Sequence, residues 1–248
     1  MKTLFFLLTA LCGFIFLPEI AFAKAGLTID LGDSETGNFT GRLIQMFVGL
    51  AIISLAPSIL IMVTSFTRLV VVFSFLRSAI GLQQSPPNIV LISLSIFLTT
   101  FIMAPTLEKA YEDGLKPLIA EEITEEVAIG KITDPFHEFM RGHARPQDVN
   151  LFLDLGKIEK PKSAAEIPLK VLVPAFMIGE LKRAFEIGFL LFIPFLIIDL
   201  VVASILMSMG MMMLPPVMIS LPFKIIFFVL VDGWHVISGS LVRSFGGG

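Results

Sequence analysis

The sequence has 248 residues, of which 55% are hydrophobic and only 16% are charged. A soluble domain has roughly 45–50% apolar residues, so composition places this chain among membrane proteins. The formal net charge of −3 provides no basic field for a phosphate backbone, which excludes a typical nucleic-acid-binding protein.

Residues 1–23 have the layout of a secretory signal peptide. One lysine precedes an apolar run over residues 4–17, and an A-x-A cleavage site ends at Ala23. The alternative is an uncleaved first membrane helix, but the run is shorter than the ~20 residues that a span needs, and Pro18 follows it. The single cysteine, Cys12, lies in this segment, so we expect neither a disulfide nor thiol chemistry in the mature chain.

Residues 24–105 predict an N-terminal pair of helices. After a short polar segment, an uncharged apolar stretch from Leu43 to Val63 is long enough to cross a bilayer. A second apolar stretch covers Ile89 to Pro105. We predict that both are membrane spans.

The segment between these stretches is basic. It carries Arg68 and Arg77 without an acidic residue, and we expect a turn because Gly81, Pro86 and Pro87 break a helix. Signal cleavage would leave the mature N-terminus outside. The first span would then place this segment in the cytoplasm, in agreement with the positive-inside rule.

Residues 106–186 form a charged helical region that we expect in the periplasm. They hold 11 of the 17 Lys and Arg residues and 15 of the 20 Asp and Glu residues that follow residue 23. Residues 121–130 predict a solvated helix that ends at a C-capping glycine, Gly130. His137 and His143 lack the spacing of metal ligands, so we interpret them as solvated loop residues.

Residues 187–248 predict a C-terminal helical hairpin with apolar arms over residues 187–209 and 217–231. Each arm carries one ionisable residue, Asp199 or Lys224, at a depth where a charge is costly. Both lie roughly 18–20 Å from the tip, which predicts a buried ion pair. The alternatives are a Lys224 that snorkels while Asp199 faces another subunit, or a proton relay.

The tip of this hairpin is rich in methionine, within the segment LMSMGMMMLPP at residues 206–216. Methionine fills irregular gaps in cores, and this hypothesis suits Met207 and Met218 in the arms. A Cu(I) site would use thioethers as ligands but lacks supporting His or Cys residues. The third hypothesis is a deformable seal that lines a pore, because a loop at membrane depth must be buried or face a cavity. The candidate gate residues are Met209, Gly210, Met211, Met212 and Met213.

The inventory of reactive side chains indicates that the chain is not an enzyme. Three histidines and no mature cysteine leave no nucleophile with an evident base. No nucleotide-binding G-x-x-x-x-G-K-[ST] loop is present, and we expect neither a metal nor a cofactor.

Two long segments, Phe66–Pro105 and Val173–Pro216, resemble the FliP family of type III secretion export-gate proteins. The resemblance covers nearly the whole mature chain, and these motifs are specific. A paralogous branch serves virulence secretion, but the FTR and LRSAIG sequences, together with the signal peptide, favour the flagellar branch.

This resemblance implies an all-α integral membrane protein of the inner membrane, largely facing the periplasm, within the flagellar basal body. It implies a homo-oligomer, a pentamer, that assembles with FliQ and FliR and works with FlhB and FlhA. Unfolded flagellar subunits would pass through its centre, past a constriction formed by Met209–Met213. It also implies subunit contacts at Phe139, Phe152 and Glu180. The alternative functions are a small-solute or ion transporter that uses Asp199 and Lys224, and a scaffold that lines no passage.

Overall fold

The structure of the chain is a computed structural model that describes residues 39–82, 84–211 and 213–246. The predicted signal peptide lies outside these residues. The chain divides into two compact units, residues 1–52 and 53–248. In the first unit, the described residues are helical. All contacts discussed below lie within the second unit.

The described residues contain helices and no strand, which confirms the all-α class. A π-helical turn, Tyr111–Leu115, joins the third and fourth α-helices, and a short 3₁₀ helix covers Ala164–Glu166. The α-helices are α1 Phe39–Met62, α2 Phe66–Ile80, α3 Asn88–Ala110, α4 Lys116–Ile119, α5 Glu125–His143, α6 Pro146–Leu155, α7 Leu169–Ser208, α8 Pro216–Leu230 and α9 Gly233–Arg243.

Helix α2 forms the centre of the main core. Leu69, Val72, Phe73 and Leu76 recur at the spacing of one helix face and are all fully buried. They pack with residues of α3, α7, α8 and α9 in one hydrophobic cluster. The segment that we expected to be a turn is therefore a buried helix up to Ile80.

Helix α7 is continuous over 40 residues, so it begins at Leu169 rather than at the predicted arm boundary, Ile187. One buried stripe follows its length at steps of four or seven residues: Leu172, Phe176, Glu180, Ala184, Gly188, Phe195, Val202 and Leu206. A Cβ on Gly188 would lie 2.6 Å from Phe75 Cδ2, so this glycine permits the close approach of α2 and α7. Because stripe residues before Ile187 are also buried, the helix continues through the charged residues that precede Ile187.

The prediction that a helix ends at Gly130 is wrong. Helix α5 runs through this glycine to His143, and a Cβ at Gly130 would meet no atom within 4 Å. The helix continues because Met140 packs into a second core cluster with Leu172 and Phe176 of α7. Tertiary packing thus overrides the local preference of glycine.

Among the described residues, two helical stretches are long and apolar enough to cross a membrane, Asn88–Ile119 and Leu169–Ser208. Helices α8 and α9 would provide a third if the pair, bent by 61°, is one broken span. The first predicted span, residues 43–63, is helical within α1 but is not among these stretches. It stays a prediction.

Candidate functional site

Helix α7 ends in a glycine-capped turn. Gly210 has a positive φ of 75°, which glycine adopts without strain. The amide of Gly210 donates to the Met207 carbonyl at 3.1 Å, and the amide of Met211 donates to the Leu206 carbonyl at 3.0 Å. These two hydrogen bonds define a Schellman motif, which confirms the predicted break at Gly210. Helix α8 then begins at a proline, as expected.

The described methionine side chains of this turn lie on the surface of the chain. Met209 and Met211 are exposed, and Met213 is 98% exposed, whereas Met212 lies outside the described residues. The hypothesis that Met207 and Met218 fill the core is wrong, because both side chains are exposed. Val202 and Leu206 occupy the buried face of α7 instead. The turn therefore presents flexible thioether side chains that other groups can cover.

The structure places Asp199 and Lys224 in direct contact between α7 and α8. The Lys224 ammonium donates to Asp199 Oδ2 at 2.6 Å, and the Ser220 hydroxyl donates to Asp199 Oδ1. The Lys224 side chain is 4% exposed and that of Asp199 is 26% exposed. Both carboxylate oxygens are thus hydrogen-bonded to α8. Ser220 was not predicted from the sequence, although its position one helical turn before Lys224 on the same face is a usable signal.

We expect neutralising both members of this pair to cost less stability than neutralising either one. Asp199→Asn leaves the buried Lys224 ammonium without its carboxylate and should lower the free energy of unfolding by about 2–3 kcal/mol, because an unpaired buried charge is expensive. Lys224→Met should have a similar effect, and the double variant a smaller one. Chemical denaturation of the detergent-solubilised chain measures all three.

The exposed Lys182–Glu186 pair, with a 3.5 Å separation, provides the control for these variants. Both side chains are more than half exposed, so Lys182→Met should change stability by less than about 1 kcal/mol. Equal losses in both single variants and the double variant would reject energetic pairing of Asp199 with Lys224.

A second ion pair joins Arg68 on α2 to Glu180 on α7. Arg68 Nε donates to Glu180 Oε2 at 2.8 Å, and Nη2 donates to Oε1 at 2.5 Å. Their exposures are 1% and 0%, so both charges are removed from solvent. This parallel geometry is the strongest form of an arginine–carboxylate interaction. Each residue lies on the apolar stripe of its helix, and that position is the signal in the sequence that indicates a buried charge.

The remaining donors of Arg68 reach the turn that follows α9. Nη1 donates to the Ser244 hydroxyl at 2.8 Å, and the guanidinium carbon lies 3.6 Å from the centre of the Phe245 ring. Burial lowers the pKa of Arg68, while the hydrogen bond and charge of Glu180 oppose this shift. Arginine stays protonated in proteins, so the site holds a fixed positive charge. Ser244 and Phe245 were not predicted from the sequence.

This contact corrects the expected topology. The positive-inside rule predicts Arg68 in the cytoplasm and Glu180 in the periplasm, but side chains in contact at 2.5 Å cannot lie on opposite sides of a membrane. The positive-inside rule counts exposed cations near the membrane, and a buried, paired arginine is not one of them. Arg77 also has a local role, because Nη1 donates to Asn88 Oδ1 and, at 3.4 Å, to the Pro86 carbonyl.

The three expected subunit-contact residues occupy different environments. Phe139 stacks on Phe245 with ring centres 6.0 Å apart and meets Phe176 edge-on. Phe152 is half-buried on α6 and is not one of the residues in the core cluster that contains Phe139 and Phe176. The Glu180 side chain is wholly buried within its own chain, and the subunit contacts expected at these three residues stay predictions.

The two histidines are helical rather than loop residues. His137 Nε2 lies 2.8 Å from the Ile167 carbonyl, and His143 Nδ1 lies 2.8 Å from the Phe139 carbonyl. Both side chains are half-buried on α5. The expectation of solvated loop histidines is therefore wrong, because α5 extends beyond Gly130.

Comparison with known proteins identifies the family. The model of the FliP family matches residues 49–241. The Flagellar biosynthetic protein FliP of Caulobacter vibrioides is 57% identical over 229 residues, covering 92% of this chain and 85% of that protein. The proteins of the same name from Bacillus subtilis and Aquifex aeolicus are 55% and 56% identical, covering 88% and 82% of this chain and 98% and 85% of those proteins. This chain therefore belongs to the FliP family.

Proposed function

We propose that this chain is a core subunit of the flagellar type III protein export gate, in which several copies and partner chains surround a passage for unfolded flagellar subunits. Relatives named flagellar biosynthetic proteins support a role in building the flagellum. The observation that supports a gate is the exposed methionine turn after α7, in which the Met213 side chain is 98% exposed. The gate residues would be Met209, Gly210, Met211, Met212 and Met213.

Methionine suits a gate that must close tightly and yet admit different sequences. Its unbranched thioether side chain adapts to irregular shapes and can exclude water from a narrow aperture. Surfaces rich in flexible methionine can repack around many partners, as a passage for unfolded chains requires. Gly210 and the proline start of α8 keep the turn short and fix its position between two long helices.

A single hairpin cannot enclose a passage, so the proposal requires other chains. We propose a homo-oligomer, a pentamer, that assembles with FliQ and FliR in the inner membrane and faces the periplasm for much of its length. FlhB and FlhA would be further partners. The large exposed apolar side chains along α3, α7 and α8 support this requirement, because a membrane or partner chains must cover them.

Replacing Met209, Met211, Met212 and Met213 together with alanine should make the membrane leak ions. Alanine is too small to fill the aperture, so the closed state should lose its seal while the helices on either side remain. Ion conductance and secretion of flagellar subunits should be measured in the same cells. Met62→Ala is the control, since this partly exposed methionine lies outside the turn. A membrane that does not leak ions, with normal export, would overturn the proposal that this turn is the gate.

The transporter alternative has weaker support. A cavity of about 370 Å³ is lined by the chain neighbours Ile198 and Phe223 but by neither Asp199 nor Lys224. An ion entering it would find no polar side chain to replace its hydration shell. Asp199 is already bonded to Ser220 and Lys224, which favours a structural role. The cavity is lined by Ile197, Ile198, Val201, Val202, Ile205, Leu206, Ile219 and Phe223.

A scaffold that lines no passage predicts a different crosslinking result. A cysteine introduced at Met213 should form a crosslink to a secreted protein that is trapped during export if the turn lines the passage. The absence of this crosslink, with the same trapped protein attached elsewhere to the assembly, would favour the scaffold.

A further inference from the structure

The buried charge of Arg68 lies where three long helices and one short turn meet. Glu180 provides the carboxylate from α7, and Ser244 with Phe245 closes the site from the turn after α9. Helix α5 adds His143, whose Nε2 lies 3.3 Å from the Phe245 carbonyl. We refer to Arg68, Glu180, Ser244 and Phe245 as the Arg68 junction.

The turn after α9 completes the environment of the Arg68 charge. Glu180 accepts hydrogen bonds from Nε and Nη2, and Ser244 accepts from Nη1 through its hydroxyl and, at 3.5 Å, through its carbonyl. Phe245 covers one face of the guanidinium and is itself buried. If this turn were undocked, Nη1 would lose both protein acceptors and the guanidinium would lose its aromatic cover. A buried charge left partly unsatisfied is costly, so docking of the turn and burial of the ion pair are linked.

Through Glu180, docking of the Ser244–Phe245 turn also affects helix α7. Glu180 belongs to α7, which leads without interruption to the methionine turn. Residues 244 and 245 come after every helix of the second unit in chain order. The junction can therefore close only when α2, α7 and the segment after α9 have all reached their places.

We infer that the Arg68 junction is a folding checkpoint for assembly: the chain joins further copies only after the Ser244–Phe245 turn has docked on Arg68. Glu180 then acts on assembly as a positioning residue inside its own chain, without touching a neighbouring subunit. This inference rests on the proposed multi-subunit function. It assigns a role in assembly to two further residues, Ser244 and Phe245.

The test compares substitutions that open the junction with substitutions that keep it closed. Phe245→Leu keeps an apolar side chain but removes the ring face, whereas Phe245→Tyr keeps the ring. Arg68→Lys keeps the charge but loses the parallel pair of hydrogen bonds to Glu180. Matched controls are Phe47→Leu, whose exposed ring lies on α1 outside the apolar faces of α3, α7 and α8, and Arg77→Lys, at the other end of α2.

Two measurements are made on the full chain expressed with its partner chains. Native mass spectrometry gives the fraction of multi-copy complexes, and hydrogen exchange gives the protection of backbone amides at residues 241–246. Phe245→Leu and Arg68→Lys should each reduce this protection and the multi-copy fraction by about tenfold, from the loss of a desolvated cation–π contact or of the fork geometry. The double variant should be no worse than the more severe single variant. Phe245→Tyr and both controls should resemble the wild type.

Glu180→Gln separates an internal role from a direct subunit contact. An internal role predicts that it loses protection at residues 241–246 together with assembly. Loss of assembly with protection unchanged would overturn the inference, as would normal assembly of Phe245→Leu and Arg68→Lys. A wild-type chain that never forms multi-copy complexes would instead overturn the proposed function, and the exchange result would still decide whether the turn depends on Arg68.

Discussion

Glu180→Leu should lower the free energy of unfolding by about 3–5 kcal/mol, because it leaves the Arg68 guanidinium buried without a counter-charge. Arg68 is 1% exposed and cannot reach water without disturbing the packing of α2 against α7. Ser244 and Phe245 remain in contact with the guanidinium, but neither carries a negative charge. Denaturation of the detergent-solubilised chain, followed by circular dichroism, measures the loss.

Two comparisons test whether the loss of stability comes from the unpaired charge of Arg68. The double variant Arg68→Met with Glu180→Leu removes both charges and should be less destabilised than Glu180→Leu alone. Lys109→Met breaks a 3.3 Å pair with Glu138 in which both side chains are more than half exposed, and should cost less than about 1 kcal/mol. A Glu180→Leu variant as stable as Lys109→Met would show that the buried pair contributes nothing.

Gly233→Ala should destabilise the chain by about 3 kcal/mol, at the upper end of the range for overpacking. A Cβ at Gly233 would lie 2.1 Å from Phe228 Cε2, well inside any permitted contact. Phe228 is buried and meets the Trp234 ring edge-on, with centroids 5.4 Å apart, so it has little freedom to move aside. The added methyl group should therefore distort the 61° bend between α8 and α9. The thermal unfolding midpoint in detergent measures this loss.

Gly130→Ala is the matched control. This glycine lies within α5 with open space around its Cα, so alanine should stabilise the helix by about 0.5–1 kcal/mol. Combining Gly233→Ala with Phe228→Leu should recover part of the lost stability by making room for the methyl group. If Gly233→Ala raised stability as Gly130→Ala does, the close approach of Phe228 would not constrain the bend.

Helix ends were predictable where a local backbone signal decides them. Gly81 and Gly210 both adopt positive φ at the ends of α2 and α7, and Pro216 starts α8. Gly130 carries the same local signal but does not end its helix, because Met140 and its neighbours find buried partners on α7. Such partners depend on the tertiary fold, which residue spacing along one segment does not reveal.

In the candidate site, too, contacts within one hairpin were predictable from the sequence, whereas contacts between distant segments were not. Asp199 and Lys224 lie on two arms of one hairpin, so counting residues from the tip was enough to place them at one depth, and the structure brings them into contact. Arg68 and Glu180 are 112 residues apart, and charge counting assigned them to opposite sides of a membrane. Their positions on apolar stripes were visible in the sequence, but only the packing of α2 against α7 shows that the two stripes meet.

Helix α7 contains 40 residues and, at about 1.5 Å per residue, extends roughly 60 Å. The hydrocarbon layer of a bilayer is only about 30 Å thick, so an upright α7 must project far beyond the lipid. Large apolar side chains such as Phe189 and Leu200 remain uncovered along its second half. These side chains require lipid or other polypeptides around them, so the isolated chain should aggregate once detergent is removed.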